Sequence, residues 1–293
     1  MTPGIHILSA DAYHADPAPA PSLSSSIASI LLNQSPLHAW MAHPKLNPKY
    51  QREGDSRFDL GSAAHMLLLE RRPDNIVVVD ANDWRTKAAK ELRDAAQAEG
   101  KFAILAHKYL EVERMVKAAR QFMEATELAL MLTDGFPERT VLWQEGDIWC
   151  KCRPDMLSMD QDVILDYKTT ESAAPDVFSR QISRMDYDLQ AEFYLRGLNA
   201  TVMDGEPEKR AFVFLVQEIH APYACSLVAL SNAYRAIGQA KVKRALGMWS
   251  KCMAEDRWPG YRPDVLYAEP KPWDLAIGEE LDAVASDSEE SES

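Results

Sequence analysis

The stretch RPDMLSMDQDVILDYKTT, residues 153–170, contains three side chains whose types and spacing suit chemistry on a phosphate. Asp155 follows a proline, and Asp166 and Lys168 lie two positions apart in an apolar run. Two neighbouring carboxylates repel each other unless a cation lies between them, and their oxygens suit Mg²⁺ or Mn²⁺. Such an ion polarises a phosphodiester oxygen and makes water more acidic, while Lys168 would hold the attacking hydroxide or offset charge in the transition state. The pattern indicates metal-assisted phosphodiester hydrolysis.

The strands that must position these side chains form a predicted hairpin. The segments DIWCKCRPDMLSM and DVILDYKTT would pair across a turn at residues 160–161. If the loop has two residues, the residue numbers of each facing pair sum to 321, so that Asp155 faces Asp166. Alternate strand residues point to one face, so Lys168 joins Asp166 on the same side. A longer loop would shift the facing pair but not the relation of Asp166 to Lys168. The alternative is a solvated surface ion pair of little energetic value, although the apolar ILDY before Lys168 favours a buried strand.

Two helical segments add candidate residues. In GSAAHMLLLE, His65 lies four residues after Gly61 on the same helical face, so Gly61 would allow close approach to a neighbour and His65 would project into the gap. In DLQAEFYL, Gln190 and Tyr194 are likewise four residues apart. The alternative for His65 is a hydrogen-bonded core histidine, and the alternative for Gln190 and Tyr194 is helix packing.

These motifs together resemble the RecB-like branch of the PD-(D/E)XK nucleases. GxxxH at 61–65, PD at 154–155, DxK at 166–168 and QxxxY at 190–194 occur in that family's order. More specifically, roughly residues 20 to 275 resemble the RecE-like (exodeoxyribonuclease VIII-type) phage exonuclease domain. The resemblance implies an α/β fold with a restriction-endonuclease-like core, in which a central mixed β-sheet is flanked by helices and preceded by an N-terminal helical elaboration.

The resemblance also implies roles for individual residues. The implied metal ligands are His65, Asp155, Asp166 and the backbone carbonyl of Tyr167. The implied catalytic residues are Lys168, Asp155, Asp166, Glu138, Gln190 and Tyr194, of which Gln190 and Tyr194 would position the DNA strand or the catalytic centre. Glu138, in PERTVLW, matches the acid that precedes the motif in relatives, and Glu145 is its rival. The candidates for a DNA-binding channel are Arg85, Lys87, Arg153 and Arg180, for each of which the alternative is a solvated surface residue.

The implied activity is that of a Mg²⁺-dependent exonuclease, with Mn²⁺ as a substitute ion. It would degrade one strand of double-stranded DNA from an end, leaving a 3′ overhang for a single-strand annealing partner, and we expect 5′-to-3′ digestion. Relatives of this type form rings around DNA, so a homo-oligomeric ring (trimer or tetramer) is expected. The four cysteines lack the clustered spacing of an iron–sulfur site, so no such cluster is expected. Two alternatives stay open: a monomeric single-strand or structure-specific nuclease, and a non-catalytic module that binds DNA ends or a partner.

Charge and composition define the remaining expectations. The 293 residues carry a formal net charge of −13, and the last fifteen, from Glu279, contain seven acids and no base, which leaves −6 for the rest. We expect a disordered acidic tail at 279–293 and a single exonuclease domain at 1–278, with a helical part at 20–135 and a catalytic sheet core at 136–275. An acidic body argues against indiscriminate coating of nucleic acid. No apolar run reaches the roughly 20 residues of a membrane span, and the N-terminus lacks a secretory pattern, so the expected compartment is the cytoplasm, of a bacterial host if the chain is phage-derived.

The pattern along the chain is mixed. Two short helices divided at Ser35-Pro36, a helix over 58–70 and a strand in NIVVVD are predicted first. A helix capped by Asp83 and ending before Gly100 follows, and then a helix from Ala106 to Gly135. The β-rich segment 139–170, helices over 174–198, a strand pair in AFVFLVQEI and YACSLVALS, and a long helix ending at WPGY complete the prediction.

Overall fold

The computed structural model describes residues 1–51, 59–202, 210–271 and 275. The chain divides into two compact units, Met1–Gly260 and Tyr261–Ser293. Every helix and strand named below belongs to the first unit. The predicted acidic tail lies outside the described residues, as does Phe58 at the start of a predicted helix. Within the described ranges, no helix is both long enough and apolar enough to cross a bilayer.

Helices and strands alternate along the first unit. The helices are α1 (Ala10–His14), α2 (Ser25–Asn33), α3 (Pro36–Met41), α4 (Leu60–His65), α5 (Lys87–Ala98), α6 (Ala106–Glu124), α7 (Met131–Asp134), α8 (Pro175–Arg184), α9 (Tyr187–Thr201) and α10 (Asn232–Glu255). A π-helical turn, Met66–Glu70, continues α4, and a 3₁₀ turn, Pro73–Asn75, follows. The strands are β1 (Gly4–Ile7), β2 (Ser22–Leu23), β3 (Ile76–Val79), β4 (Phe102–Leu105), β5 (Phe136–Pro137), β6 (Arg139–Glu145), β7 (Ile148–Cys152), β8 (Met156–Leu157), β9 (Val163–Thr170), β10 (Ala211–Glu218) and β11 (Cys225–Ala229).

The strands of the described residues form three sheets. A four-stranded sheet has the order β1-β6-β7-β2, a five-stranded sheet has the order β11-β10-β9-β8-β5, and β3 pairs with β4. In the five-stranded sheet β9 and β10 are parallel, and the other pairs are antiparallel. The helices α8 and α9 form the crossover that a parallel pair requires. The predicted α/β class with a mixed sheet and flanking helices is confirmed, and strands β8 and β9 lie in the five-stranded sheet.

Strand β9 divides its side chains between two hydrophobic cores. Ile164 belongs to a core that includes residues of α9 and α10, whereas Leu165 and Tyr167 belong to a core that includes residues of α4 and α6. Because side chains alternate along a strand, Asp166 and Lys168 share the α9 side with Ile164. The predicted placement of these two residues on one face is confirmed by the contact of Lys168 Nζ with Asp166 Oδ1.

The predicted hairpin forms, but one of its two segments is broken. Proline has no N–H to give to a ladder, and the chain leaves the four-stranded sheet after Cys152 and joins the five-stranded sheet at Met156, on either side of Pro154. Met156 pairs with Leu165, so the residue numbers of the facing pair sum to 321, as predicted. The loop is nevertheless longer than the two residues predicted, since the Ser158 N–H bonds the Val163 carbonyl at 2.9 Å and residues 159–162 make the turn.

Helix boundaries follow the predicted caps in part. Ser24 and Ser35 cap α2 and α3, as the serine-rich pattern indicated. Helix α5 begins later than predicted, because Thr86 caps it while Asp83 accepts the N–H of Arg85 in the preceding turn. The helix predicted from Ala106 to Gly135 ends at Glu124, and strand β4 before it was not predicted.

The first 23 residues supply strands β1 and β2 of the four-stranded sheet, and they contact its other strands through a buried polar network that was not predicted from the sequence. Asp16 is 3% exposed, and its carboxylate accepts hydrogen bonds from the hydroxyl (2.6 Å) and N–H (2.9 Å) of Ser22. His43 Nε2 and Lys151 Nζ lie 3.3 Å and 3.7 Å from its oxygens. Burial alone would raise the pKa of Asp16, but the hydrogen bonds from His43 and Ser22 and the charge of Lys151 lower it to about 2.

Asp16→Asn is expected to destabilise the protein by about 3–5 kcal/mol at neutral pH, because it leaves the buried Lys151 ammonium without its carboxylate. The folded pKa of Asp16 lies below its ordinary value of 3.8, so the stability from ionised Asp16 is present above about pH 4 and is lost as the pH falls towards 2. Urea unfolding should therefore show a large difference between wild type and variant at pH 7 and a smaller one near pH 2. Asp147→Asn, at an exposed turn, is the control. Equal stability of Asp16→Asn and wild type at pH 7 would contradict this role.

Candidate active site

The corner where β8 meets β9 holds the first acidic residue. Strand β8 begins at Met156, so Asp155 lies just beyond the end of the ladder. Its Oδ2 accepts a hydrogen bond of 2.9 Å from the N–H of Tyr167. If β8 were longer, one of its backbone carbonyls would accept this hydrogen bond instead. The N–H and C=O of one strand residue point to the same neighbour, so the Tyr167 carbonyl is also directed to this corner. Asp155 therefore lies at the edge of β9, between the two faces of the sheet.

His65 reaches the same corner from the end of α4. Helix α4 crosses β9 closely at Gly61, where a Cβ would lie only 2.5 Å from Thr169 Oγ1. The predicted close approach at Gly61 is confirmed. One helical turn later, His65 Nε2 lies 3.4 Å from Asp155 Oδ2. The imidazole therefore lies among carboxylates, in a place where it can bind a cation.

A second acid, Glu70, approaches the other imidazole nitrogen and was not selected from the sequence. Its Oε1 lies 3.6 Å from His65 Nδ1. In an α-helix, a residue five positions later points about 140° away from the first. Here Met66–Glu70 is a π-helical turn, closed by the Arg71 N–H on the Met66 carbonyl, and the wider turn brings Glu70 back beside His65. No helical periodicity in the sequence signals this pair.

Glu138 is the third acid around His65. It has a left-handed backbone (φ 55°) between β5 and β6, and its Oε1 lies 3.3 Å from His65 Nε2. Its other oxygen accepts a hydrogen bond from Arg153. The rival Glu145 lies at the opposite end of β6, where it accepts a hydrogen bond of 2.8 Å from Arg196. The structure therefore brings Glu138, and not Glu145, to the corner.

Asp166, Lys168 and Gln190 meet on the α9 side of β9. Asp166 is fully buried, and Gln190 Nε2 donates a hydrogen bond of 2.9 Å to its Oδ2. The Lys168 ammonium contacts Asp166 Oδ1 and lies 5.0 Å from the ring centroid of Tyr187. Carboxylate, amide and ammonium thus hold one another in fixed positions.

Tyr167 and Tyr194, the two tyrosines named from the sequence, are buried in the hydrophobic cores. Tyr194, one turn after Gln190 on α9, is buried with its ring centroid 6.0 Å from that of Phe212. Burial raises the pKa of Tyr194 well above its ordinary value, so its phenol stays protonated. The hydroxyl of Tyr167 donates a hydrogen bond of 2.5 Å to Gln217, which fixes the strand residue next to Asp166.

Burial and neighbouring charges shift the pKa values of three acids in the cluster. Burial and the neighbouring charge of Asp155 raise the pKa of Asp166 to about 6, despite the opposing effect of Lys168. Burial and Asp155 likewise raise the pKa of Glu138 to about 7. Burial would raise the pKa of Asp155 too, but His65 and Lys168 outweigh it and the pKa is lowered. The link of Asp155 to both His65 and Lys168 shows that the two halves of the cluster belong to one electrostatic site.

The donor set fits a hard divalent cation. Among the described residues, three potential ligand atoms lie within 4.8 Å of one another, one each from His65, Glu70 and Glu138. Asp155 adjoins them. Asp166 Oδ1 is buried and contacts the Lys168 ammonium. Clustered carboxylate oxygens with one imidazole suit Mg²⁺ or Mn²⁺, and such an ion would neutralise the charge that raises the pKa of Asp166.

A cleft of about 1270 Å³ opens beside the α4 half of this cluster. Its wall includes His65, Glu70, Glu138 and Arg153, of which Arg153 has a buried Nη1 without a hydrogen-bond partner among the described residues. The other basic residues of the wall, Arg72, Arg93 and Lys101, were not named from the sequence. Of the predicted DNA-binding residues, only Arg153 lines the cleft; Arg85 and Lys87 are exposed and pair with Asp83 and Glu91, and Arg180 is exposed on α8.

Comparison with known families matches residues 29–267 to the PDDEXK-like domain of unknown function DUF3799. The chain belongs to this family. Membership in DUF3799 supports the coarser part of the resemblance, a PD-(D/E)XK nuclease, without distinguishing the RecE-like type. No curated protein matched the DUF3799 chain.

Two solved structures resemble the DUF3799 chain. A crystal structure from Eubacterium rectale, named "Putative exonuclease", has 11% sequence identity and a TM-score of 0.56, covering 93% of this chain and 99% of that chain. A phage related exonuclease from Haemophilus somnus 129PT has 10% identity and a TM-score of 0.30, covering 68% of this chain and 97% of that chain. The first likeness shows a shared fold; the second TM-score is too low to support an argument.

Proposed function

We propose that this DUF3799 chain is a divalent-metal-dependent exonuclease that hydrolyses phosphodiester bonds of linear double-stranded DNA from its ends, 5′ to 3′, to give 3′ overhangs. The observation that carries the proposal is the meeting of His65, Asp155, Asp166 and Lys168 at the corner of β8 and β9. The family supports a nuclease. The exonuclease name of the Eubacterium rectale protein, whose fold is shared, agrees with attack at an end.

His65, Asp155, Asp166 and the Tyr167 carbonyl would hold Mg²⁺, with Mn²⁺ as a substitute, and Glu138 would complete the acidic set. The chemistry that such an ion supplies is polarisation of a phosphoryl oxygen and activation of water. Gln190 would act on the ion site through Asp166, because its amide fixes one carboxylate oxygen and leaves the other directed to Lys168. This supports the positioning role for Gln190 over direct contact with DNA.

Lys168 would act as a fixed positive charge. Burial alone would lower the pKa of Lys168, but the charges of Asp166 and Asp155 raise it above its ordinary value. The side chain therefore carries its proton throughout the neutral range and does not serve as a base. Held against Asp166 and the ring of Tyr187, the ammonium would stabilise negative charge that develops on the phosphoryl group.

One observation favours a second candidate, a nuclease that acts on single strands. The cleft of about 1270 Å³ is somewhat larger than the roughly 300–1,000 Å³ of pockets that enclose small ligands, and this volume suits a few nucleotides of one strand. A cleft of this size also suits the first proposal if the end of the duplex is unpaired before cleavage. A non-catalytic module is disfavoured by the intact acid, acid and lysine set.

Linear duplexes labelled at either the 5′ or the 3′ end distinguish these functions. With Mg²⁺ we expect early release of the 5′ label, late loss of the 3′ label, no cleavage of closed circular DNA, and no reaction in EDTA. Cleavage of the circle would show an endonuclease. Digestion confined to single strands would select the second candidate.

The assembly and the partner are also proposals. A homo-oligomeric ring (trimer or tetramer) would encircle the DNA, and a single-strand annealing protein would receive the overhang. Light scattering after size exclusion should give a mass three or four times that of the chain; a monomer that still digests duplex ends processively would exclude the ring.

Glu70→Ala is expected to weaken Mn²⁺ binding by about 10–100-fold, because Glu70 would hold the proton on His65 Nδ1 and so leave Nε2 free for the ion. Glu70→Gln should retain most of the affinity, since an amide oxygen also accepts the Nδ1–H. Isothermal titration calorimetry measures both affinities, and ¹⁵N NMR of the imidazole reports its tautomer. An equal loss in both variants would instead indicate that the Glu70 carboxylate itself binds the ion.

A further inference from the structure

One wall of the cleft is basic and aromatic, unlike the acidic corner. It is formed by residues of α5, β4 and the connections before them and includes Arg72, Trp84, Arg93 and Lys101. Arg72 lies two residues after Glu70, so the chain passes directly from the acidic corner to the wall.

Trp84 is the prominent apolar surface of this wall. It is partly exposed in the loop between β3 and α5, and the guanidinium of Arg93 lies 6.0 Å from the centroid of its ring. Planar aromatic rings with a cation alongside are the surfaces on which unpaired nucleobases stack. The wall therefore offers a base-stacking surface within the same cleft as His65.

The basic groups of the wall can exchange their present partners for phosphates. Arg93 pairs with Asp94 at 2.8 Å and Lys101 with Glu99 at 3.0 Å. Both acids are largely exposed, and ion pairs of this kind are worth only about 0–1 kcal/mol. A phosphate backbone in the cleft can therefore compete for both cations.

The wall is fixed to the catalytic half of the fold by packing. Strands β3 and β4 pair in parallel, and Ile76 and Ile104 lie in the same core as Leu68 and Leu69 of the turn that carries Glu70. A base on Trp84 would thus be held at a set distance from the acidic corner, as positioning of a scissile phosphate requires.

We propose that Trp84, with Arg93 and Lys101, forms a stacking site for unpaired bases of the single DNA strand that the acidic corner receives. The inference rests on the proposed function and deepens it, because it identifies where the strand lies once its bases are no longer paired. The volume of the cleft suits a few nucleotides of one strand, and its basic wall complements the phosphates.

Fluorescence anisotropy with Ca²⁺ in place of Mg²⁺ tests this binding without hydrolysis. The probes are a thymidine oligonucleotide of about 12 nucleotides, within the usual range of site sizes, and the same backbone with abasic positions. Wild type should bind the intact strand more tightly than the abasic one. Trp84→Ala should weaken binding of the intact strand by roughly 5- to 150-fold, the equivalent of about 1–3 kcal/mol of stacking, and leave the abasic strand unaffected. Trp84→Phe, which keeps a ring, should retain most of the preference.

Arg93→Ala separates charge from stacking. It should weaken binding of intact and abasic strands equally and reduce the salt dependence. The stacking site is overturned if wild type shows no preference for the intact strand, or if Trp84→Ala keeps that preference. Loss of the preference in Trp84→Ala together with no Mg²⁺-dependent hydrolysis by wild type would retain the stacking site and reject the proposed function, so the two failures are distinguishable.

Discussion

Lys168→Ala is expected to slow degradation of linear duplex DNA by about 10²–10³-fold while Mn²⁺ binding persists. The factor is what removal of one preorganised charge from a transition state usually costs. Lys168 carries its proton, contacts Asp166 and lies over the ring of Tyr187, so its charge is already in place before the substrate arrives. Single-turnover rates with saturating enzyme would measure the chemical step directly.

The matched control is Lys251→Ala, an exposed lysine of α10 paired with Glu255 at 4.0 Å. It should leave the rate unchanged. Circular dichroism and Mn²⁺ titration of Lys168→Ala should match wild type, which separates a catalytic loss from misfolding. Unchanged turnover in a folded Lys168→Ala protein would contradict the catalytic role of this residue.

Asp166→Asn is expected to abolish metal-dependent activity and yet to stabilise the metal-free protein. The folded pKa of Asp166, about 6, lies above its ordinary value of 3.8, so the folded protein holds this proton more tightly than the unfolded chain. The resulting stability is present below about pH 4 and is lost as the pH rises through 6. At pH 8 the amide removes the buried negative charge but can still accept the hydrogen bond from Gln190. We expect a gain on the order of 1–3 kcal/mol without metal.

Adding Mn²⁺ should reverse the order of stability. An ion that binds only the folded state stabilises it by about 2.7 kcal/mol at a concentration 100 times its dissociation constant. Wild type should gain this and Asp166→Asn should not. Thermal unfolding at pH 8, with and without Mn²⁺, gives both comparisons, and Asp147→Asn at an exposed turn is the control. An Asp166→Asn protein that melts below wild type in EDTA, or that gains equally from Mn²⁺, would contradict a ligand role for Asp166.

The strand geometry of the site was predictable because it depends on local periodicity. Two-residue alternation places Asp166 beside Lys168 whatever the loop. The pairing of Met156 with Leu165 was predicted from an assumed two-residue loop, and the longer turn at residues 159–162 keeps the same pairing. The approach of α4 to β9 was predictable for a similar reason, since a glycine one turn before His65 marks a close crossing.

The parts that sequence analysis missed depend on irregular backbone or on distant contacts. Glu70 reaches His65 only because the helix widens into a π turn, which no α-helical period anticipates. Glu138 was named through the resemblance alone, and its left-handed backbone has no clear sequence signal. Trp84 and Arg93 line the same cleft as His65 and Glu138, a relation that a linear sequence does not express.

Anomalous diffraction from crystals soaked in Mn²⁺ would show whether His65, Asp155 and Asp166 hold one divalent ion beside Lys168. We expect a manganese peak about 2.0–2.2 Å from His65 Nε2 and from an oxygen of each aspartate, and its loss in Asp166→Asn crystals. A peak held by His65, Glu70 and Glu138 without either aspartate, or the absence of a peak at this corner, would contradict it.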